Sequence, residues 1–224
     1  AEPTVGAPFA RDTLGLAGRN IKVAVIDSGI DYTHTVFGGC TNDSFLAGTC
    51  AKVIGGYDFC GNVSNSCGGG GDNNPMDDNG HGTHVAGIIG GVNTSGFIGI
   101  APNVSFLAVK SFDNGGSGTT TAIIQGIDFA IAQHVNIIHG SFGSLPFPDD
   151  GFDAISLVAS SAPQVFGIPF VASAGNSGPD TEGSASPAVA KGIISVGATN
   201  DAGTLDVSDD TIASFSSRGP FAFG

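Results

Sequence analysis

Short apolar runs alternate along this chain with segments of helical period, and that alternation limits the fold more than any other feature. The runs lie at residues 21–26, 106–112, 135–138, 168–174 and 193–198. The first is apolar except for Lys22, the pattern of a strand buried on both faces. Between the runs, Ile123, Ile127, Ala130 and Ile131 form one helical stripe within residues 119–134. Ile155, Val158, Ala159 and Ala162 form another within residues 153–165. Strand and helix in alternation build βαβ units around a parallel sheet, and such sheets place their sites at the carboxyl ends of strands. Residues 38–80 break the pattern. They are rich in Gly and Asn and hold every cysteine, so loops or a small hairpin are expected there. A chain of 224 residues can bury one sizeable core, and neither a repeat nor a linker divides it.

Composition narrows the function classes. Apolar residues make up 41% and charged residues only 12%, which is a globular balance and not a disordered one. The net charge of −13, with seven Lys and Arg, opposes binding to nucleic acid or an anionic membrane, since both need clustered cations. No run approaches the ~18 apolar residues of a membrane-spanning helix. The start, Ala1-Glu2-Pro3, reads as that of a processed mature protein.

Cys40, Cys50, Cys60 and Cys67 allow three pairings. Nearest-neighbour pairing, Cys40–Cys50 and Cys60–Cys67, is the first expectation, each bond stabilising by about 2–3 kcal/mol. A zinc site is the rival, but the spacing lacks Cys-x2-Cys. Sequons at Asn42, Asn62, Asn93 and Asn103 fit a glycosylated, secreted eukaryotic protein, and paired cysteines point the same way.

Three segments carry side chains suited to acyl transfer. Val23-Ala24-Val25-Ile26-Asp27-Ser28-Gly29 ends an apolar strand on a carboxylate. His81-Gly82-Thr83-His84-Val85-Ala86-Gly87 opens a helical stretch on an imidazole. Ala174-Gly175-Asn176-Ser177-Gly178 follows another strand with a carboxamide. Singly these are a helix-entry cap, a Gly-rich turn and an ordinary turn. In this order they resemble the subtilisin-like serine proteases (subtilases), most nearly the secreted fungal members. The resemblance implies an α/β, three-layer fold with a mostly parallel central sheet flanked by helices, its C-terminal part missing. Residues 1–224 would then be a partial catalytic domain.

It also implies roles. Asp27 would orient His81, His81 would move protons, and Asn176 would stabilise an oxyanion. Gly116-Ser117-Gly118 and Ser141-Phe142-Gly143 resemble the two edges that pair with an extended polypeptide substrate, a form of β-augmentation. Ala174 and Gly175 would form a further pocket wall, suited to a large apolar P1 side chain.

Departures from the family pattern are equally specific. His139-Gly140-Ser141-Phe142-Gly143 carries an imidazole where the family has Asn, expected here as a hydrogen-bonded core residue. Val36 replaces a calcium-binding Asp, and the 92–96 loop is one residue short. The chemistry requires no cofactor or metal; Asp72, Asn74 and Asp77 could ligate a structural Ca²⁺, although a solvated polar loop is the first expectation. No segment resembles Gly-Thr-Ser-Met-Ala, which carries the family's nucleophile. Ser117, Ser141 and Ser216 lack that context.

The sequence therefore implies a secreted serine endopeptidase whose nucleophile lies in residues beyond this chain, for instance on a C-terminal fragment of the same protease. The chain alone is expected to be inactive and to expose apolar surface where the serine helix belongs. The alternative is an inactive, subtilase-derived protein that binds peptide or carbohydrate.

Overall fold

The computed structural model describes residues 5–61, 67, 70–92, 96–143, 151–179 and 185–219. Its elements run β1 (Lys22–Asp27), α1 (Asn42–Leu46), β2 (Val53–Asp58), α2 (His81–Gly90), β3 (Ser105–Lys110), α3 (Thr120–Ala132), β4 (Ile137–Gly140), α4 (Ala154–Val165), β5 (Phe170–Ser173) and β6 (Ile194–Val196). A short antiparallel pair, β7 (Thr199–Asn200) with β8 (Thr211–Ile212), follows. The main sheet has six strands in the order β2-β3-β1-β4-β5-β6, and every pairing in it is parallel.

Alternation of side chains along β1 generates the layers. Ala24 and Ile26 face a core with Ile127 and Ala130 of α3 and Ala159 of α4. Val23 and Val25 face the other core, with Ala86 of α2 and Phe45 of α1. A strand covered on both faces must be apolar throughout, and Val23 to Ile26 are all buried. The result is the parallel sheet that the alternation of runs and helical stripes predicts, in the three-layer α/β arrangement that the family resemblance implies. The two longest helices, α3 and α4, begin on side-chain caps. The Thr119 hydroxyl accepts from Ala122 N at 3.2 Å, and Asp153 Oδ1 accepts from Ile155 N at 2.9 Å and Ser156 N at 3.1 Å.

β1 is the strand at which chain order reverses. β3 lies on one side of it and β4 on the other. A crevice opens at the carboxyl end of a strand so placed. Asp27 is the last residue of β1.

The described part of residues 38–80 holds more regular structure than the sequence suggests. Instead of loops or a hairpin alone, they contain helix α1 and the sheet strand β2. Two consecutive glycines, Gly55 and Gly56, disguise that strand as a turn. Gly56 is there because a Cβ would lie 2.1 Å from the Ala108 carbonyl oxygen and 2.7 Å from Pro75 Cγ. Disulfides Cys40–Cys50 and Cys60–Cys67 flank β2 on either side. The nearest-neighbour pairing is thus the one formed, and none of the four thiols is available to zinc.

Candidate active site

The site is assembled at the junction of β1 and α2. The Asp27 carboxylate is buried, and its oxygens lie 2.8 and 3.0 Å from His81 Nδ1. His81 is the first residue of α2, and its side chain is 52% exposed. Nδ1 meets the carboxylate while Nε2 has no partner among the described residues, so the free nitrogen is available to a ligand. That approach depends on the next residue. A Cβ at Gly82 would lie 2.2 Å from the Gly29 carbonyl oxygen and 3.0 Å from Asp27 Cβ. Only glycine lets the helix start this close to the strand end.

A ring of polar contacts fixes both partners. Ser28 N donates to Asp27 Oδ1 at 2.7 Å. The Ser28 hydroxyl donates to Asp77 Oδ1 at 2.9 Å and accepts from Gly82 N at 3.0 Å. Asp77 Oδ1 also accepts from Asn79 N and Gly80 N, and Oδ2 accepts from the amide and hydroxyl of Thr83. Burial pushes the Asp77 carboxyl up, but these hydrogen bonds outweigh it and hold the group below its usual 3.8. Lys110 is buried, and its Nζ donates to Ser28 O at 2.8 Å, Phe112 O at 3.1 Å and Asp78 Oδ1 at 2.5 Å. Ser28, Thr83 and Lys110 were not legible as site residues, because their partners are 49 to 82 positions away or lie across a turn.

Two cavities adjoin. One, of about 240 Å³, is lined by Asp27, Ser28, Asn79, His81, Phe112, Gly116 and residues 141–143. The other, of about 250 Å³, is lined by residues 141–143, Ser173, Ala174, Gly175, Asn176, Ser177 and Ala185. The structure therefore brings Asp27, His81, Gly116, Ser141, Phe142 and Gly143 to one cavity, and Asn176, Ala174 and Gly175 to the next. Ser117 and Gly118 line neither. Ser117 closes a turn on Asp113, whose Oδ1 accepts its N–H at 2.9 Å. Asn176 is exposed, and its side chain makes no hydrogen bond among the described residues.

His139 is half-buried on β4, and its Nε2 lies 2.8 Å from the Ser141 hydroxyl. Burial holds this imidazole below its ordinary 6.5; Asp27 pulls the other way, and His81 adds to the depression.

The acidic loop before α2 is turned towards its own hydrogen bonds. Asp77 is engaged as above, Asp72 Oδ1 accepts from Asn74 N at 2.8 Å, and Asn74 Oδ1 lies 2.6 Å from the Tyr32 hydroxyl. Among the described residues no group of three His, Cys, Asp or Glu side chains is placed to hold a metal. Of the sequons, Asn42 and Asn103 are exposed, while Asn62 and Asn93 lie outside the described residues.

Comparison with known proteins identifies the family. Residues 18–222 match the model of the subtilase family, Peptidase_S8. The chain is 35% identical over 221 residues to serine protease AprX of Bacillus subtilis, covering 93% of this chain and 45% of that protein. It is 38% identical over 210 residues to subtilisin DY of Bacillus licheniformis, covering 92% of this chain and 63% of that one. Among solved structures, Sphericase superposes with a TM-score of 0.67 at 29% identity, over 91% of this chain and 60% of that one. The chain thus spans between 45% and 63% of the length of these relatives. With the fold, the Asp27–His81 contact and the family match in agreement, this chain belongs to the subtilase family.

Proposed function

We propose that this chain is part of a secreted serine endopeptidase that cleaves polypeptides through an acyl-enzyme. The observation that carries the reading is the Asp27–His81 contact at 2.8 Å, beside a cavity at the carboxyl end of the strand where chain order reverses. The nucleophilic serine is supplied by residues beyond the given sequence. His81 Nε2 takes the proton from that serine as it attacks the scissile carbonyl, then returns it to the leaving amine. Asp27 holds the tautomer with the proton on Nδ1 and stabilises the imidazolium as it forms. The Asn176 amide donates to the oxyanion. Residues 141–143 and Gly116 flank the substrate backbone, and the small walls at Ala174 and Gly175 suit a large apolar P1 side chain.

The disulfides and the exposed sequons Asn42 and Asn103 support an extracellular glycoprotein. The chemistry proposed needs no metal.

A serine-directed fluorophosphonate tests the reading. The full-length protein should label stoichiometrically on a serine outside these residues, whereas the 224-residue chain alone should remain unlabelled. Labelling of the isolated chain would overturn the assignment of the nucleophile. An unlabelled full-length protein that still binds peptide would replace the protease by a binding protein on the same scaffold.

A further inference from the structure

Residues 141–143 stand between the two cavities and line both. A wall shared by two binding cavities has to be held from behind. Phe142 is held by packing, its ring centroid 5.0 Å from that of Phe112 and its side chain partly buried against the core. Ser141 has a different support, the imidazole of His139 two residues earlier, at 2.8 Å. His139 is on β4 in register with Val25 of β1. Its charged neighbours are Asp27, at the end of β1, and His81, at the start of α2. It lines neither cavity.

We propose that His139 is a positioning residue, whose imidazole fixes the Ser141 hydroxyl and with it the wall along which an extended peptide lies. The peptide part of this rests on the protease reading above; the hydrogen bond itself does not. A neutral imidazole has one donor and one acceptor nitrogen, and a hydroxyl can play either part, so each tautomer completes the bond. Burial favours that neutral form, which keeps a second cation away from His81 while the wall is held. A carboxamide offers the same pair of functions from a shorter side chain. An alkyl group offers neither and leaves the Ser141 hydroxyl without its partner. The wall meets the substrate before and during reaction, so its support stabilises ground state and transition state alike. Its loss falls on KM and not on kcat.

Two measurements on the full-length protein test this. With histidine labelled in 15N, Ser141→Ala should shift the His139 Nε2 resonance and leave those of His34 and His134 in place. An unmoved His139 resonance overturns the proposal whether or not the protein is a protease. In peptide hydrolysis, His139→Ala should raise KM about three- to tenfold, the weight of one neutral hydrogen bond. His139→Asn should restore most of that loss. Ser141→Ala should match His139→Ala, and the double variant should be no worse than either. A loss carried by kcat, additive single variants, or fluorophosphonate labelling of Ser141 itself would overturn the assignment. If the full-length protein cleaves no peptide and the resonance still moves, the protease reading fails and the hydrogen bond stands. Calorimetric titration of a peptide into the same variants then replaces KM, with the same order of variants expected.

Discussion

β1 and β6 belong to one sheet but occupy opposite situations. β1 lies between two parallel neighbours and two helical layers, and its last five residues are buried. β6 is an edge strand, paired among the described residues with β5 alone, and Ile194 and Val196 are 51% and 49% exposed. The chemistry proposed above divides along the same line. Asp27 and His81, at the β1 end, are fixed by a network that reaches Ser28, Asp77, Thr83 and Lys110. Asn176, which follows β5, is exposed and makes no such bonds among the described residues. In the proposed chemistry the acid–base pair is therefore braced by side-chain hydrogen bonds, whereas the proposed oxyanion donor has no side-chain bond among the described residues.

The most severe test of that contrast is kinetic. In the proposed full-length protease, His81→Ala should lower kcat by about 10⁶, the loss known for the equivalent change in subtilisin. Asn176→Leu should lower it by only ~10²–10³, the subtilisin value for its oxyanion-hole amide. Steady-state kinetics on a peptide substrate checks both, and equal losses would erase the division.

Next in size is Gly82→Ala. A methyl group 2.2 Å from a backbone carbonyl cannot be accommodated by a side-chain rotation, so α2 must move from the end of β1. A cost of about 1–3 kcal/mol in chemical denaturation is expected, with activity reduced by up to ~10² as His81 shifts from Asp27. A wild-type melting curve and rate would show that the approach is looser than described.

Amide hydrogen exchange probes the contrast without mutation. Val23 to Ile26 should exchange only through near-global opening, and residues 194–196 through local opening, orders of magnitude faster. Comparable protection would mean that β6 is covered in solution.

The smallest effect concerns pH. Burial depresses the His139 pKa, so the unfolded chain binds that proton more readily than the folded one. Its contribution is unaffected well above 6.5, and stability falls as pH drops below that value. The Asp77 carboxyl has a depressed pKa for a different reason, its hydrogen bonds to Thr83, Gly80 and Asn79. Its contribution is present above 3.8 and is lost as pH falls through its lower folded value. Urea midpoints should therefore decline in two acid stages. His139→Asn should remove the first and leave the second, and a decline unchanged in that variant would contradict the account.

Much of the buried half was legible in the sequence. The run at 21–26 differs from β1 by one residue at each end, and the stripes within 119–134 and 153–165 became α3 and α4. A strand covered on both faces writes its environment into every position. β2 escaped because Gly56 answers to Ala108 and Pro75, residues remote in sequence. Asp27 and His81 stood out through their motifs, yet the sequence offered Asp77 as a possible calcium ligand. The structure shows it bracing the Ser28 hydroxyl and the first turn of α2. Such a role depends on which loops meet, and neither periodicity nor spacing records that. His139 was expected as a satisfied imidazole, but its tie to Ser141, and so to the cavity wall, needed coordinates.

Lys110 carries one last consequence. The chain has seven basic side chains, and one of them is sealed in the interior under Ser28 and Phe112. Its charge is paired with the exposed Asp78 carboxylate, and with 20 Asp and Glu against seven Lys and Arg the field that approaching molecules sense is negative. Cationic peptides should be drawn in faster than acidic ones, and added electrolyte should narrow the gap by shielding the attraction.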